Sequence, residues 1–254
     1  MPDLVSIVIP NHNLGRFVGE AIDSALDQSH PDVEVIVVDD GSADDSVLRI
    51  RSLPAYRSGR FCLIEQANAG VSRARNAGAA RARGSYLVFL DADDVLEPTY
   101  VARCIAALRD APDSVAYAYT QMQHFGAESS LFESRPFDAG ILLTGNFVNA
   151  SALMRRRAFD EVGGWDPYFS LAYEDYELWV RMLAHGYSGI FVPEPLLRYR
   201  RHVDPSRNDL SPAQLLRLHD DVAIRHPRLY WLRLLSHPHR AITAWKRMRT
   251  GRSA

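Results

Sequence analysis

Residues 86–94 read YLVFLDADD and decide the fold, because a short apolar and aromatic run ends there in three carboxylates. The same pattern occurs twice earlier, as VSIVIPNHN at 5–13 and VEVIVVDDGS at 33–42. Short runs of β-branched and aromatic residues bounded by turn residues are typical of strands. Because the runs are largely apolar rather than alternating, they predict strands in a sheet that is covered on both faces.

Segments with helical spacing of apolar residues lie between these runs. Strands that alternate with helices predict an α/β fold with a mostly parallel sheet flanked by helices. Up to residue 112 the predicted strands are 4–9, 33–38, 61–64 and 86–90, and the predicted helices are 17–28, 44–53, 71–82 and 98–108. The later predicted strands are 115–119, 151–154, 188–192 and 196–199, and the later helices are 157–162, 174–184, 212–224 and 230–248. Residues 120–150 show no clear pattern.

Composition and charge fit an ordinary globular protein. The chain has 254 residues and a net charge of −2, which gives no polycationic signal for nucleic acid. Its two cysteines, Cys62 and Cys104, are too few and too far apart for a disulfide framework or a cysteine zinc site. No apolar run approaches the ~18 residues that span a bilayer, and the N-terminus shows no signal-peptide pattern. These features predict a cytoplasmic protein.

Polar residues follow three of the predicted strands. The carboxyl ends of parallel strands meet at one edge of a sheet, where ligands bind. That edge would collect five acids: Asp39, Asp40, Asp91, Asp93 and Asp94. Their mutual repulsion is most simply offset by a divalent cation. Since Mg²⁺ and Mn²⁺ use one or two carboxylates and take phosphates and water as other ligands, Asp91 and Asp93 suit a metal–diphosphate complex.

Structural roles for the same acids stay open. Asp94 stands just before the predicted helix 98–108, where Asp is favoured as an N-cap, and residues 39–42 have turn and cap chemistry. The functional alternative for Asp39 and Asp40 is a carboxylate that accepts from a base N–H or a ribose hydroxyl. The chain contains neither G-x-G-x-x-G after its first strand nor G-x-x-x-x-G-K-[ST], so dinucleotide and P-loop sites lack support.

Five motifs together resemble the family 2 glycosyltransferases with the GT-A fold. They are VSIVIPNHN at 5–13, VVDDGS at 37–42, GVSRARNAG at 70–78, DADD at 91–94 and YEDYELW at 173–179. The resemblance implies metal-dependent, inverting transfer from a nucleotide-sugar, with a UDP-sugar favoured and Mn²⁺ or Mg²⁺ as cofactor. The acceptor would be a sugar or lipid-linked hydroxyl in cell-surface polysaccharide or glycoconjugate synthesis.

The resemblance also implies a division of the chain. Residues 1–205 would form the GT-A domain, with a nucleotide-sugar half at 1–112 and an acceptor half at 113–205. Residues 206–254 would be a helical C-terminal extension. Residues 225–254 hold eight Lys or Arg and no acid. A basic amphipathic helix there could lie on an anionic membrane, or it could pack on the domain with its basic face in water.

Site residues are carried over from the resemblance by matched position. The nucleotide-sugar site would contain Pro10, His12, Asn13, Asp40, Arg73, Arg75, Asp91 and Asp93. In it, Pro10 and His12 would border the nucleobase, Asp40 would bind its edge, and Asp91 would contact ribose. Asp93 would hold the metal. His202 would stand near the metal and diphosphate, and an imidazole ligand favours Mn²⁺ over Mg²⁺; a surface or packed histidine is the alternative.

The chemistry of transfer falls on the second half. Asp175 matches the family's general base, which takes the acceptor hydroxyl's proton, and Glu174 would orient or bind the acceptor. Both acids lie in the first turn of the predicted helix 174–184, where the helix dipole stabilises negative charge and would depress the pKa of Asp175. Trp165, in the turn GGWDP, is either a core residue or a wall of the acceptor site.

Two rival functions remain at this stage. Residues 89–96, FLDADDVL, superficially resemble the nucleophile loop of haloacid-dehalogenase-type phosphatases, although that loop normally follows the first strand. The other rival is a catalytically silent protein that only binds a nucleotide-sugar. Phosphate release without a nucleotide-sugar would favour the first, and binding without transfer would favour the second.

Overall fold

An eight-stranded sheet forms the centre of the computed structural model, which describes residues 3–169, 172–203 and 211–231 together with 242, 243, 245 and 246. The strands are β1 (Val5–Asn11), β2 (Val33–Asp40), β3 (Cys62–Gln66), β4 (Tyr86–Phe89), β5 (Val95–Leu96), β6 (Val115–Gly126), β7 (Leu153–Arg155) and β8 (Ser188–Arg201). Their order across the sheet is β3-β2-β1-β4-β7-β6-β8-β5.

Nine helices lie on the sheet or follow it in the described part of the chain. They are α1 (Val18–Leu26), α2 (Ser46–Ser52), α3 (Pro54–Arg57), α4 (Val71–Arg81), α5 (Tyr100–Arg109), α6 (Ala139–Leu142), α7 (Arg156–Glu161), α8 (Glu174–Ala184) and α9 (Pro212–Arg225). The predicted α/β class with flanking helices is therefore confirmed. The predicted helix 230–248 lies mostly outside the described residues.

The sheet is mixed rather than purely parallel, which refines the expectation of a mostly parallel one. The four neighbouring strands β3, β2, β1 and β4 pair in parallel. Strand β7 runs antiparallel to both β4 and β6, and β5 runs antiparallel to β8. The sequence predicted a strand at 151–154, which overlaps β7, but not its direction, and β5 is only two residues long, too short to show a periodicity.

Strand β1 shows why the central strands are apolar throughout. All seven of its residues are buried, and alternate side chains enter two different cores. Val8 packs in the cluster that contains Ala74 of α4. Ile7 and Ile9 pack on the other face, in the cluster that contains Ile22 of α1. Helices on both faces therefore require an apolar residue at nearly every position of the strand.

The second half contains one long strand where two short ones were predicted. Strand β8 is continuous over 14 residues and pairs in parallel with the 12-residue β6, through register shifts around Thr120 and Gln121. Pro193 and Pro195 interrupt the strand pattern of β8 in the sequence, since proline cannot donate a ladder hydrogen bond and is uncommon inside strands.

Among the described residues, no helix is both long enough and apolar enough to cross a membrane. The division at residues 112 and 205 stays a prediction.

Helix α4 reaches the sheet closely only because residue 78 is glycine. A Cβ at Gly78 would stand 2.2 Å from Cγ1 of Val8. We expect Gly78→Ala to lower the free energy of unfolding by about 1–3 kcal/mol, because extra atoms overpack this contact. Gly19→Ala in α1 is the matched control, since its Cβ would meet only a Leu53 methyl at 4.0 Å and alanine favours helix by about 0.5–1 kcal/mol. Urea unfolding measures both changes, and equal stabilities of the two variants would contradict this packing.

Candidate active site

The carboxyl ends of β1 and β2 are tied together by hydrogen bonds. Asn11 donates to Asp39 at 2.8 Å, and the Ser42 hydroxyl donates to the same carboxylate oxygen at 2.7 Å. Asp40 accepts from Gln66 at 2.7 Å and from the backbone N–H groups of Ala69 and Gly70 at 2.9 and 2.8 Å. Both acids are buried. They hold the loops that shape this edge of the sheet, and the contact of Asp40 with a nucleobase stays a prediction.

The predicted base-binding residues lie beside these loops. Nδ1 of His12 is 2.9 Å from the carbonyl oxygen of Asp40, and the amide nitrogens of Asn13 and Asn68 lie 3.0–3.2 Å from its ring nitrogens. Asn13 adopts a positive φ of 55°, a conformation that asparagine tolerates, and its side-chain oxygen accepts from the backbone of Ala43 at 2.7 Å. Asn68 was not predicted.

Pro10 and Arg73 differ in accessibility. Pro10 is buried at the end of β1, whereas Arg73 is exposed on α4. Arg73 donates to the carbonyl oxygen of Ala69 at 3.1 Å. Of the two arginines in the 70–78 motif, Arg73 is therefore the one that faces solvent, and a role for either residue toward the nucleotide stays a prediction.

Arg75 joins the two halves of the site. Its guanidinium is 2% exposed and donates to Asp91 at 2.7 Å and to Glu174 at 3.0 Å. Burial acts to lower the pKa of Arg75, but the two carboxylates outweigh burial and raise it. Arg75 is therefore a permanent cation that connects the end of β4 to the start of α8. The resemblance assigned Arg75 and Asp91 to the nucleotide-sugar site and Glu174 to the acceptor, and it did not reveal this bridge.

Trp165 is a core residue, and the structure does not place it as a wall of the acceptor site. The side chain is 1% exposed and packs edge-on against Phe89 with ring centroids 5.2 Å apart. The guanidinium of Arg75 lies 4.5 Å from the Trp165 ring centroid. Asn76 fixes the backbone of Trp165 by donating to its carbonyl at 2.8 Å and accepting from its N–H at 3.0 Å. A ring this deeply buried offers no face to a sugar, and it supports Arg75 instead.

Asp93 and His202 are the residues that could hold a metal. Oδ2 of Asp93 lies 2.8 Å from Nε2 of His202, and both side chains are partly exposed. Burial and the nearby charge of Asp91 raise the pKa of Asp93, against the opposing effect of His202. A carboxylate oxygen and an imidazole nitrogen fit Mn²⁺, and a cation would offset the unfavourable charge. In the described ranges, no group of three or more His, Cys, Asp or Glu side chains could hold a metal ion, so phosphate and water would complete the coordination.

Asp94 does not cap the following helix, which begins at Tyr100 after the N-cap Thr99. Its buried carboxylate accepts from the backbone N–H of Arg200 at 2.9 Å. The Arg200 guanidinium donates to the carbonyl oxygen of Asp93 at 2.8 Å and lies over the rings of Phe17 and Phe125, 4.7 and 4.2 Å from their centroids. Arg200 therefore fixes the 93–94 loop.

Asp175 has two hydrogen-bond donors on its carboxylate. The backbone N–H of Tyr176 donates to Oδ1 at 2.7 Å, and the amide of Asn146 donates to Oδ2 at 2.8 Å. Burial, together with the charge of Glu174, raises the pKa of Asp175 to about 7. The expected depression by the helix dipole is therefore wrong in direction, because desolvation and a like charge outweigh it. A carboxylate with this pKa can accept a proton near neutral pH.

Asn146 was missed by the sequence analysis. It is an exposed residue in the 143–151 segment, where no periodicity marks a site. Its side-chain oxygen accepts from the backbone N–H of Val148 at 3.1 Å, which orients its amide nitrogen toward Asp175. Only the fold brings this residue, 29 positions away in sequence, to Asp175.

Comparison with known proteins identifies the family. The model described as glycosyl transferase family 2 matches residues 6–163. The chain is 32% identical over 187 residues to the chondroitin synthase of Escherichia coli, covering 72% of this chain and 27% of that synthase. Two other curated relatives are likewise covered over only 31% and 30% of their length.

Two solved structures share the fold at low sequence identity. A complex of S. aureus TarS 1–349 with UDP-GlcNAc superposes with a TM-score of 0.68 at 14% identity, over 95% of this chain and 79% of the TarS 1–349 chain. A mannosyltransferase from Pyrobaculum calidifontis, in complex with GDP-Man and Mn²⁺, gives a TM-score of 0.65 at 21% identity, over 97% and 74% of the two chains. With a family model that matches well over half of its residues, this chain belongs to glycosyltransferase family 2.

Proposed function

We propose that the chain is a metal-dependent, inverting glycosyltransferase that moves a sugar from a UDP-sugar to an acceptor hydroxyl. The observation that carries the proposal is the double ion pair of Arg75 with Asp91 and Glu174. This bridge links the Asp91–Asp93 loop to Glu174, the residue before Asp175. A donor diphosphate bound at the Asp91–Asp93 loop would present its sugar to Asp175.

The metal side of the site would activate the leaving group. Asp93 and His202 would hold Mn²⁺ or Mg²⁺, which when bound neutralises charge on a departing nucleoside diphosphate. A carboxylic acid that protonates the leaving oxygen, as in glycoside hydrolysis, is then not needed. The remaining coordination positions suit the donor's phosphates and water.

Asp175 would act as the general base through Oδ2, which accepts one hydrogen bond from Asn146 and keeps a second lone pair for the acceptor hydroxyl. Its other oxygen, Oδ1, is held by the Tyr176 N–H. Glu174 is paired with Arg75, so its carboxylate serves to hold the site together. Asp175 would deprotonate the acceptor hydroxyl as it attacks the anomeric carbon, in a single displacement that inverts configuration.

The substrate class follows from the relatives' names together with the site. The named relatives include a chondroitin synthase and a TarS complex with UDP-GlcNAc, which favours a UDP-sugar and an acceptor in polysaccharide or glycoconjugate synthesis. A lipid-linked acceptor would accord with peripheral membrane contact through 225–254 at the cytoplasmic face. Most of that segment lies outside the described residues, although Trp231 is described and is 57% exposed.

Asp93→Ala is expected to abolish the effect of Mn²⁺ on UDP binding, because it removes the carboxylate ligand. In the wild-type chain, UDP with Mn²⁺ at about 100 times its Kd should add about 2.7 kcal/mol of stability, which a thermal-shift assay detects. Asp113→Ala, an exposed acid at the opposite edge, is the control and should keep the full shift. An undiminished Mn²⁺-dependent shift in Asp93→Ala would remove Asp93 from the metal site.

Asp175→Asn is expected to lower the rate of UDP release from UDP-GlcNAc by about 10²–10⁴-fold, the usual contribution of a positioned base. The assay uses Mn²⁺ and a panel of sugar and lipid-linked acceptors. The affinity for UDP should not change, since Asp175 does not contact the metal pair. Near-normal turnover in this variant would contradict the base assignment, and UDP binding by the wild-type chain without turnover on any acceptor would favour a silent binder.

The rate of UDP release should rise with pH through about 7, because Asp175 must be ionised to accept a proton and its pKa is raised to about 7. Asn146→Ala removes a hydrogen bond that favours the ionised form. The acidic limb of the pH–rate profile should therefore move to higher pH in this variant. An unmoved or lowered limb would show that Asn146 does not act on the base.

A further inference from the structure

The C-terminal extension packs against the helix that carries Asp175. Helix α9 begins with a capping box, in which Ser211 and Gln214 satisfy each other's backbone N–H groups. The residues that follow it, 226–231, are also described. Together they contact α8 and the segment 163–169 that precedes it.

The hydroxyl of Tyr176 is the centre of this interface. It lies 2.8 Å from the hydroxyl of Tyr230 and 3.2 Å from Nε2 of His219, and all three side chains are buried. The backbone N–H of the same Tyr176 donates to Oδ1 of Asp175. One residue is therefore bonded to the base through its main chain and to the extension through its side chain.

A second set of contacts joins the extension to α8. Nε2 of His226 lies 3.2 Å from Oε1 of the buried Glu177. The other oxygen of Glu177 pairs with Arg181 at 2.8 Å. The first two turns of α8 are thus fixed by neighbours on α8 itself and by the extension.

A third set reaches the segment before α8. Arg225 pairs with Asp166 and lies over the ring of Tyr168, 4.6 Å from its centroid. The Tyr168 hydroxyl donates to the buried carboxylate of Asp221 at 3.3 Å. Asp166 directly follows Trp165, whose ring packs against the Arg75 guanidinium. The Arg225–Asp166 pair therefore also stabilises the segment that supports Arg75.

We propose that α9 and residues 226–231 position the general base, with His219 and Tyr230 holding Tyr176 so that the first turn of α8 aims the Asp175 carboxylate at the acceptor. This inference rests on the proposed function. The three side chains are positioning residues, since they act through Asp175. Hydrogen bonds in a buried polar cluster reinforce one another and favour one arrangement, and a displacement of about 1 Å at a reacting group can lower a rate about 10²-fold.

Tyr176→Phe in the full chain tests the inference, because it removes one hydroxyl and keeps the ring. We expect faster hydrogen–deuterium exchange in residues 172–178 and a kcat for UDP release lowered about 10- to 100-fold. The KM for UDP-GlcNAc and the Mn²⁺-dependent binding of UDP should stay unchanged. Tyr187→Phe is the matched control, since it removes a hydroxyl bonded to Glu161 at 2.8 Å on the surface, and it should change none of these values.

Variants of the partners complete the test. His219→Ala should reproduce the loss in kcat, and His219→Gln should restore much of it, because a glutamine amide places a polar nitrogen near the position of Nε2. Tyr230→Phe removes a single partner and serves if Tyr176→Phe does not fold. Unchanged exchange in residues 172–178 would overturn the inference, and so would a loss of UDP binding that accompanies the loss of kcat. If the wild-type chain released no UDP, the proposed function would fail, while the exchange comparison would still decide whether α9 holds α8.

Discussion

The site depends on one buried cation, the guanidinium of Arg75. A charge that is 2% exposed is tolerated only when it is paired, and here Asp91 and Glu174 both accept from it. Breaking a buried pair of this kind typically destabilises a protein by about 3–5 kcal/mol, because an uncompensated charge remains. Asp91 follows β4 and Glu174 begins α8. The buried charge of Arg75 is therefore paired only when the fold brings these two parts of the site together.

The other acids each have their own partner, which changes the argument for a metal. Asp39 and Asp40 are satisfied by loop donors, and Asp94 accepts from the backbone of Arg200. Loop donors therefore stabilise Asp39 and Asp40, whereas burial and the charges of Asp93 and Asp91 still raise the pKa of Asp94. Asp93 also has a raised pKa and lies beside a partly exposed histidine, so the case for a cation depends on this pair rather than on the number of acids.

The sequence predicted those parts of the structure that leave a local pattern. Continuous apolar runs marked β1, β2 and β4, and helical spacing marked α8 with its observed ends. Strand β5 was missed because two residues carry no periodicity, and the strand predicted at 151–154 overlaps β7, but its antiparallel direction left no local pattern. In the site, the strand-end acids were predictable from topology. Asn146 and His219 were not, since their contacts join residues 29 and 43 positions apart.

Asp175, the proposed base, lies next to two sets of contacts of different chemistry. The permanent charge of Arg75 holds the adjacent Glu174 toward the metal side, and the hydroxyl cluster around Tyr176 holds the opposite side of the same helical turn. Neither set of contacts involves residues 143–151. That segment contacts Asp175 separately, through the side chain of Asn146. Because that segment touches the base but does not carry it, its sequence can change to suit a different acceptor while Asp175 keeps its position. We therefore expect acceptor choice to be encoded around Asn146, in the part of the chain where the sequence pattern is weakest.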